Sequence, residues 1–337
     1  MKRRSEVGST SERRELQVLW RLCERCNFRC EYCFRDGVDA HRGAEHPDCA
    51  ARAPDHIARS FDATGHPWLI RLTGGEPFLY PGFLELVAAL TQHHRVAINT
   101  NLGAPGVREL ADRIAPSRVH SIYATLHLRE VERHRLTESW IEAFLELQAK
   151  GFPMRLALLT HPALLPHLGE RIEMLRSQGV VHVYVKILRG QVSGRQLPTA
   201  YSQSERRLIR AAGPSDDELG ILEDRVHFRG LRCAAGCTAF DLDLHGNLTR
   251  CSGVRSPRGN LFAGRFDPDV EPRRCPVWTC TCPYQGLRFA RRVGSWARVL
   301  ERAAPAAHRL ARRLVAAHPA RTTESAGTAS SSRDAAR

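Results

Sequence analysis

Apolar positions along the chain follow two alternating rhythms. Short runs that alternate or are continuously apolar recur at 16–22, 68–73, 95–101, 119–126, 154–160 and 180–188, and predict six β-strands. Between them lie stretches with helical spacing at 54–62, 81–91, 105–114, 139–150 and 167–178. In the second of these, Phe83, Leu84, Val87 and Leu90 share one face. Strand and helix repeating in turn predict parallel strands joined by helical crossovers. The expected fold is therefore α/β, a partial (β/α)6 barrel of the TIM type, with reactive groups at the C-terminal ends of its strands. After about residue 220 the helical period fades and glycine, proline and cysteine become denser. That change predicts a small Cys-rich β-hairpin/helix extension. The expected organisation is a disordered leader over 1–15, the barrel core over 16–215, the Cys-rich region over 216–286, a basic helical segment over 287–318 and a disordered tail over 319–337.

Composition adds three constraints. Of the 337 residues 42% are hydrophobic, enough for a sizeable core, yet no apolar run approaches the ~20 residues that span a bilayer. Met1 to Arg14 is charged and polar and lacks the apolar stretch of a secretory signal, so a cytoplasmic location is expected. The eleven cysteines are odd in number and, Cys49 apart, fall in two groups, Cys23–Cys33 and Cys233–Cys282. In a reducing compartment such clusters point to metal or iron–sulfur ligation and not to a disulfide framework. The formal net charge of +14 is compatible with an anionic partner. No nucleic-acid motif accompanies the dispersed arginines, so nucleic acid is not the expected partner.

The first cysteine group reads Cys26-Asn27-Phe28-Arg29-Cys30-Glu31-Tyr32-Cys33, a C-x3-C-x2-C run with an aromatic before the last cysteine. Three thiolates on one loop can hold a cubane iron–sulfur cluster while leaving its fourth iron without a protein ligand. Adding Cys23 gives two CxxC pairs, a zinc alternative, but Cys23 falls within the alternation of the first strand and reads as a buried thiol. Thr73-Gly74-Gly75-Glu76-Pro77 closes the second strand, its glycines permitting close backbone approach.

These two motifs together resemble the radical S-adenosylmethionine (SAM) superfamily. The resemblance implies a [4Fe-4S] cluster on Cys26, Cys30 and Cys33 that cleaves SAM to a 5′-deoxyadenosyl radical, the cofactor supplying the chemistry and the protein positioning it. It implies that Gly74, Gly75 and Glu76 meet the methionine end of SAM and that Tyr32 packs beside its adenine. Asn99-Thr100-Asn101 stands where family members often carry Thr-Asn-Gly, here with Leu102 replacing the glycine. Asn101, Thr125 and His127, at strand ends, are further candidates for contacts with SAM. Tyr123, His161, Lys186 and Arg189 also lie near strand ends and could face a substrate.

The second group resembles the auxiliary-cluster extensions called SPASM and twitch domains. Cys233, Gly246 and Cys251 match the opening of their signature, and Leu242 and Leu244 before His245-Gly246-Asn247 predict a hairpin returning Cys251 beside Cys233. The downstream set departs from the full pattern, reading C-x4-C-x-C over Cys275, Cys280 and Cys282. A single second [4Fe-4S] cluster is expected, on Cys233, Cys251 and two among Cys237, Cys275, Cys280 and Cys282, with structural zinc as the rival. The substrate is expected to be a peptide or a small polar metabolite, and the reductant a flavodoxin or ferredoxin. The competing function is a non-catalytic iron–sulfur or zinc scaffold that binds an anionic partner such as nucleic acid.

Overall fold

The computed structural model describes residues 15–33, 52–225, 227–278 and 280. The predicted leader, the basic 287–318 segment, the tail, Cys49 and Cys282 lie outside these residues.

Six strands form the predicted parallel array in sequential order: β1 (Leu16–Arg21), β2 (Trp68–Thr73), β3 (Arg95–Thr100), β4 (Val119–Leu126), β5 (Met154–Leu159) and β6 (Val183–Lys186). The crossover helices are α1 (Pro54–Asp62), α2 (Phe83–Leu90), α3 (Leu110–Arg113), α4 (Leu128–Arg133), α5 (Thr137–Ala149) and α6 (Leu168–Ser177). A helix was expected over 105–114. Only Leu110–Arg113 is helical, because Gly106 takes a left-handed φ of 80° just after Pro105. Helix α4 was not expected. It is short and follows directly on β4, so it leaves little periodicity of its own.

Register assigns the two faces of the array. One carries Val18, Trp20, Ile70, Leu72, Ile98, Ile122, Leu156 and Val185, all nearly inaccessible, against the helices. Phe61 of α1, for example, fills the space between Trp20 and Trp68 at 6.0 and 5.5 Å. The opposite face is mixed, with Leu19, Leu69 and Leu159 beside Gln17, Arg21, Arg71, Asn99, Tyr123, Thr125 and Lys186. A closed barrel interior is packed with branched apolar side chains; this face is partly polar.

Beyond β6 come a small hairpin, β7 (Gly190–Val192) with β8 (Arg195–Leu197), and two helices, α7 (Gln203–Ala211) and α8 (Asp216–Leu222). A short ladder joins β9 (Arg232–Cys233) to β14 (Arg273–Arg274). The Cys-rich region does not stand apart from the core sheet. Its strand β10 (Ala239–Leu242) pairs parallel to β1, and β11 (Asn247–Cys251), β12 (Val254–Asn260) and β13 (Arg265–Phe266) continue antiparallel, making one ten-stranded sheet. Phe240, Phe262 and Phe266 pack on Trp20 and Trp68 across this join.

Candidate active site

The first cysteine group leaves the C-terminal end of β1 as a loop and is clamped from three sides. From β2, Gly75 N donates to Cys23 O at 2.8 Å and Glu76 N to Arg25 O at 2.7 Å. A Cβ at Gly74 would lie 2.4 Å from Cys23 O, and one at Gly75 would lie 1.8 Å from Arg25 O. Only glycine permits this backbone-on-backbone contact. Cys23 itself is fully buried, with its Sγ 3.6 Å from Glu76 O, away from the role of an open ligand.

From β3, Asn101 Nδ2 donates to Asn27 Oδ1 at 2.8 Å and lies 3.7 Å from Cys26 Sγ, while Asn27 Nδ2 donates to Gly103 O at 2.9 Å. Leu102, in the place of the family's glycine, adopts the left-handed region that glycine would supply, φ 56°. Glu76 is fully enclosed. Its Oε1 accepts from Thr100 Oγ1 at 2.7 Å and Phe78 N at 3.3 Å, and its Oε2 from Asn101 N at 2.7 Å. Burial raises this carboxyl to about 7 despite those donors. The side chain thus ties the glycine turn to the end of β3.

From α4, Glu130 Oε2 accepts from Arg29 N at 2.6 Å and from Arg133 Nη2 at 2.6 Å. Sequence reasoning missed Glu130. Its only signal was an acid four residues past the end of a strand. Glu31, inside the motif, pairs with Arg129 and lies 3.0 Å from His161 Nε2. His161 Nδ1 accepts from Ala163 N, so Nε2 carries the proton and donates to Glu31. Tyr32 stacks on His127 at 5.8 Å and its hydroxyl shares a 3.0 Å hydrogen bond with His127 Nδ1. Burial, with the charge of Lys186, lowers His127 to about 4, so its imidazole is neutral. Thr125 is half-buried at the end of β4, two residues before it.

Cys26, Cys30 and Cys33 are half-buried. Desolvation pushes the Cys26 thiol up to about 11 and the Cys30 thiol up to about 12, Glu76 and Glu130 adding to the respective shifts. Two thiols that ionise so reluctantly become thiolates when a cation takes the proton's place. The donor set and its partial exposure suit a cluster open on one side.

The second group lies at the other end of the sheet. Since β10 runs parallel to β1 and β11 returns antiparallel, Cys251 at the end of β11 stands at the N-terminal edge of β1. Cys233, Cys251, Cys275 and Cys280 line one cleft, with Phe228 and Arg250. The β9–β14 ladder sets Cys275 N on Leu231 O at 2.8 Å, and Phe228 N on Trp278 O at 3.0 Å anchors the segment before Cys280. Burial raises the thiols of Cys233 and Cys251. Cys237 does not line this cleft; its Sγ lies 3.9 Å from Val270 O. Among the described residues no three Cys, His, Asp or Glu side chains are gathered as for a single metal ion, and in this the two cysteine groups are alike. Nor is any described helix long and apolar enough to cross a membrane.

Comparison with known proteins agrees with this geometry. The chain is 39% identical over 85 residues to the GTP 3′,8-cyclase of Haemophilus ducreyi, covering 24% of each protein. It is 30% identical over 100 residues to that of Klebsiella pneumoniae, covering 29% of this chain and 30% of the relative. The matched part is thus about a quarter of the length of these curated relatives. Streptococcus suis SuiB bound to S-adenosylmethionine shares the fold at 14% identity and a TM-score of 0.53, over 74% of this chain and 64% of SuiB. For anSMEcpe with bound AdoMet the values are 13% and 0.50, over 74% and 76%. Residues 20–171, which hold the cysteine loop, the glycine turn and α4, match the Radical SAM superfamily, and the chain carries a domain of that superfamily.

Proposed function

We propose that the chain is a radical SAM enzyme that reductively cleaves SAM and uses the resulting radical to abstract hydrogen from a substrate in the barrel lumen. The observation that carries this reading is the cysteine loop itself. Three half-buried thiols at a strand's C-terminal end are held by backbone hydrogen bonds to a glycine turn that no other residue could make. Cys26, Cys30 and Cys33 would hold a [4Fe-4S] cluster, which when bound supplies the electron for SAM cleavage. Around it the protein binds and orients. Gly74 and Gly75 let the turn lie backbone-on-backbone against Cys23 and Arg25, Asn101 steadies the loop at Cys26, and the neutral His127, with Thr125 beside it, offers polar atoms next to the Tyr32 ring. Glu76 acts here as the strut between the turn and β3, all of its bonds being internal.

A second [4Fe-4S] cluster on Cys233, Cys251, Cys275 and Cys280 belongs to the same proposal. These four thiols line one cleft, with structural zinc on the same residues as the rival reading. The reductant would be a flavodoxin or ferredoxin. The relatives named GTP 3′,8-cyclase favour a nucleotide-like small molecule over a peptide as substrate.

Anaerobic reconstitution with iron and sulfide, reduction and addition of SAM should yield 5′-deoxyadenosine. A Cys26/Cys30/Cys33→Ala triple variant should yield none. A fully loaded wild type that cleaves no SAM would overturn the enzyme reading in favour of an iron–sulfur scaffold.

A further inference from the structure

Among the described residues, the cleft between Cys233, Cys251, Cys275 and Cys280 is lined by a single charged side chain, Arg250. The other lining residues, Phe228, Ala235, Gly253, Val254 and Val277, carry no polar side chain. Arg250 stands on β11 directly before Cys251 and is only 6% exposed. Its Nη2 donates to Arg273 O at 3.1 Å and to Arg274 O at 3.3 Å, the carbonyls of β14 that lead into Cys275. The side chain therefore braces the strand that ends at one cysteine against the strand that precedes another.

These carbonyls accept its hydrogen bonds but leave its charge unmatched. Arg250 pairs with no carboxylate among the described residues. Asp269, close by, is held by Arg258 at 2.8 Å and by Arg273 at 2.7 Å. Gly236, at φ 87°, makes room where these groups meet: a Cβ there would lie 2.9 Å from Arg250 Cγ and 2.6 Å from Asp269 Oδ2. Burying a cation in apolar surroundings without a counter-charge is costly. Here the counter-charge can come from the four cysteines, once a metal group holds them as thiolates. The field of Arg250 reaches Cys233 and Cys251, and low-dielectric surroundings strengthen it. An iron–sulfur cluster on four thiolates is a net anion and becomes more negative on one-electron reduction. A fixed cation beside it favours the reduced form, because net charge and the surrounding groups set such a potential.

We propose that Arg250 is the positioning residue of the second metal centre: its guanidinium balances the thiolate charge and raises the centre's reduction potential, while its two bonds to β14 fix Cys275 against Cys251. This rests on the reading of the four cysteines as a cluster site. The reconstituted full-length holoenzyme is titrated potentiometrically and its reduced clusters are followed by electron paramagnetic resonance. The signal that added SAM leaves unchanged belongs to the second centre. Arg250→Gln, Arg250→Lys and the exposed Arg265→Gln, which removes a charge outside the cleft, are titrated alongside. Per loaded cluster, Arg250→Gln should lower the reduced-to-oxidised ratio at a fixed potential roughly tenfold or more, a fall of about 59 mV for one electron. Arg250→Lys keeps the charge without the planar fork and should stay within about threefold of wild type, and Arg265→Gln should change nothing. If Arg250→Gln holds no iron at this site, Arg250→Lys decides. Loading with a near wild-type potential supports the charge role, whereas failure to load overturns it and leaves Arg250 a structural brace. An unchanged potential in Arg250→Gln, an equal fall in Arg250→Lys or Arg265→Gln, or zinc in place of iron at this site in the wild type would each overturn the proposal. Formation of 5′-deoxyadenosine is scored separately, and its absence would count against the radical SAM reading and not against the role of Arg250.

Discussion

Replacing Gly75 with alanine tests the central structural claim, that the glycine turn docks the cysteine loop. The new Cβ would sit 1.8 Å from Arg25 O, whereas ordinary contact begins at 3.4 Å, so backbone must move by 1.6 Å. Nothing flexible is available to yield, since the obstacle is a peptide carbonyl. That displacement breaks Gly75 N to Cys23 O and Glu76 N to Arg25 O. Each enclosed donor left unmet costs about 1–3 kcal/mol, together about 4 kcal/mol, or roughly a thousandfold in the docked fraction of the loop. Iron at the first site and 5′-deoxyadenosine yield should both fall below about one per cent of wild type on that scale. Iron at the four-cysteine site should survive, which separates loop undocking from global unfolding. Gly169→Ala is the opposite control. No atom lies within 4 Å of its Cβ and it sits in the first turn of α6, so it should be neutral or stabilise by up to about 1 kcal/mol. A Gly75→Ala protein that kept half the wild-type SAM cleavage at full iron content would refute the docking argument.

Glu130→Ala leaves Arg29 N without its carboxylate, a loss of about 1.5–3 kcal/mol from the loop, and should shorten the cluster's lifetime under an iron chelator roughly ten- to a hundredfold. In the apoprotein two buried groups tilt the pH profile in opposite senses. Glu76 rises from 4.5 to about 7, so the unfolded chain loses its proton first and stability falls by up to about 3 kcal/mol as pH climbs from 4.5 to 7. His127 drops from 6.5 to about 4, so the unfolded chain gains a proton first and stability falls as pH descends from 6.5 to 4. Urea unfolding should therefore show Glu76→Gln gaining stability with rising pH across this window and His127→Phe losing it; parallel slopes would sink the assignment. Cys275→Ala and Cys280→Ala should each reduce about eight irons per chain toward four, while Cys237→Ala leaves the count unchanged.

The parallel array was legible because its strands are short runs of alternating or continuous apolar residues set between stretches of helical period. Strands β2 and β4 and helix α1 take the bounds that periodicity alone gave. The cysteine loop and glycine turn were legible because their spacing is local. What the sequence hid is non-local. That β10 docks on β1 depends on a pairing across 222 positions, with only Phe240 and Leu242 as local signal. Selecting Cys275 and Cys280 over Cys237 depends on the two-residue ladder between β9 and β14, too short to leave a pattern. The Glu130 contact was invisible because α4 is six residues long and holds too few apolar positions to show a face.

The join between β1 and β10 has a consequence for how the chain can be divided. Composition alone puts a boundary near residue 215, yet a chain ending at Leu222 would convert β1 into a sheet edge. Trp20 and Trp68 would lose Phe262, Phe240 and Phe266, which now pack on them at 5.8, 5.8 and 5.7 Å. An aromatic side chain of this kind carries 150–250 Å² of burial at about 25 cal/mol per Å², so uncovering parts of two tryptophans costs several kcal/mol, a large share of a typical ~5–15 kcal/mol stability. The unpaired edge of β1 would also be free to pair with another chain. The truncated protein should therefore aggregate on expression, whereas a full-length chain with Cys233, Cys251, Cys275 and Cys280 all changed to alanine should stay soluble. Solubility by light scattering decides between them. A soluble, monomeric truncation that loaded four irons and cleaved SAM would mean that the β1–β10 pairing is dispensable and that the six-strand array alone is the folding unit.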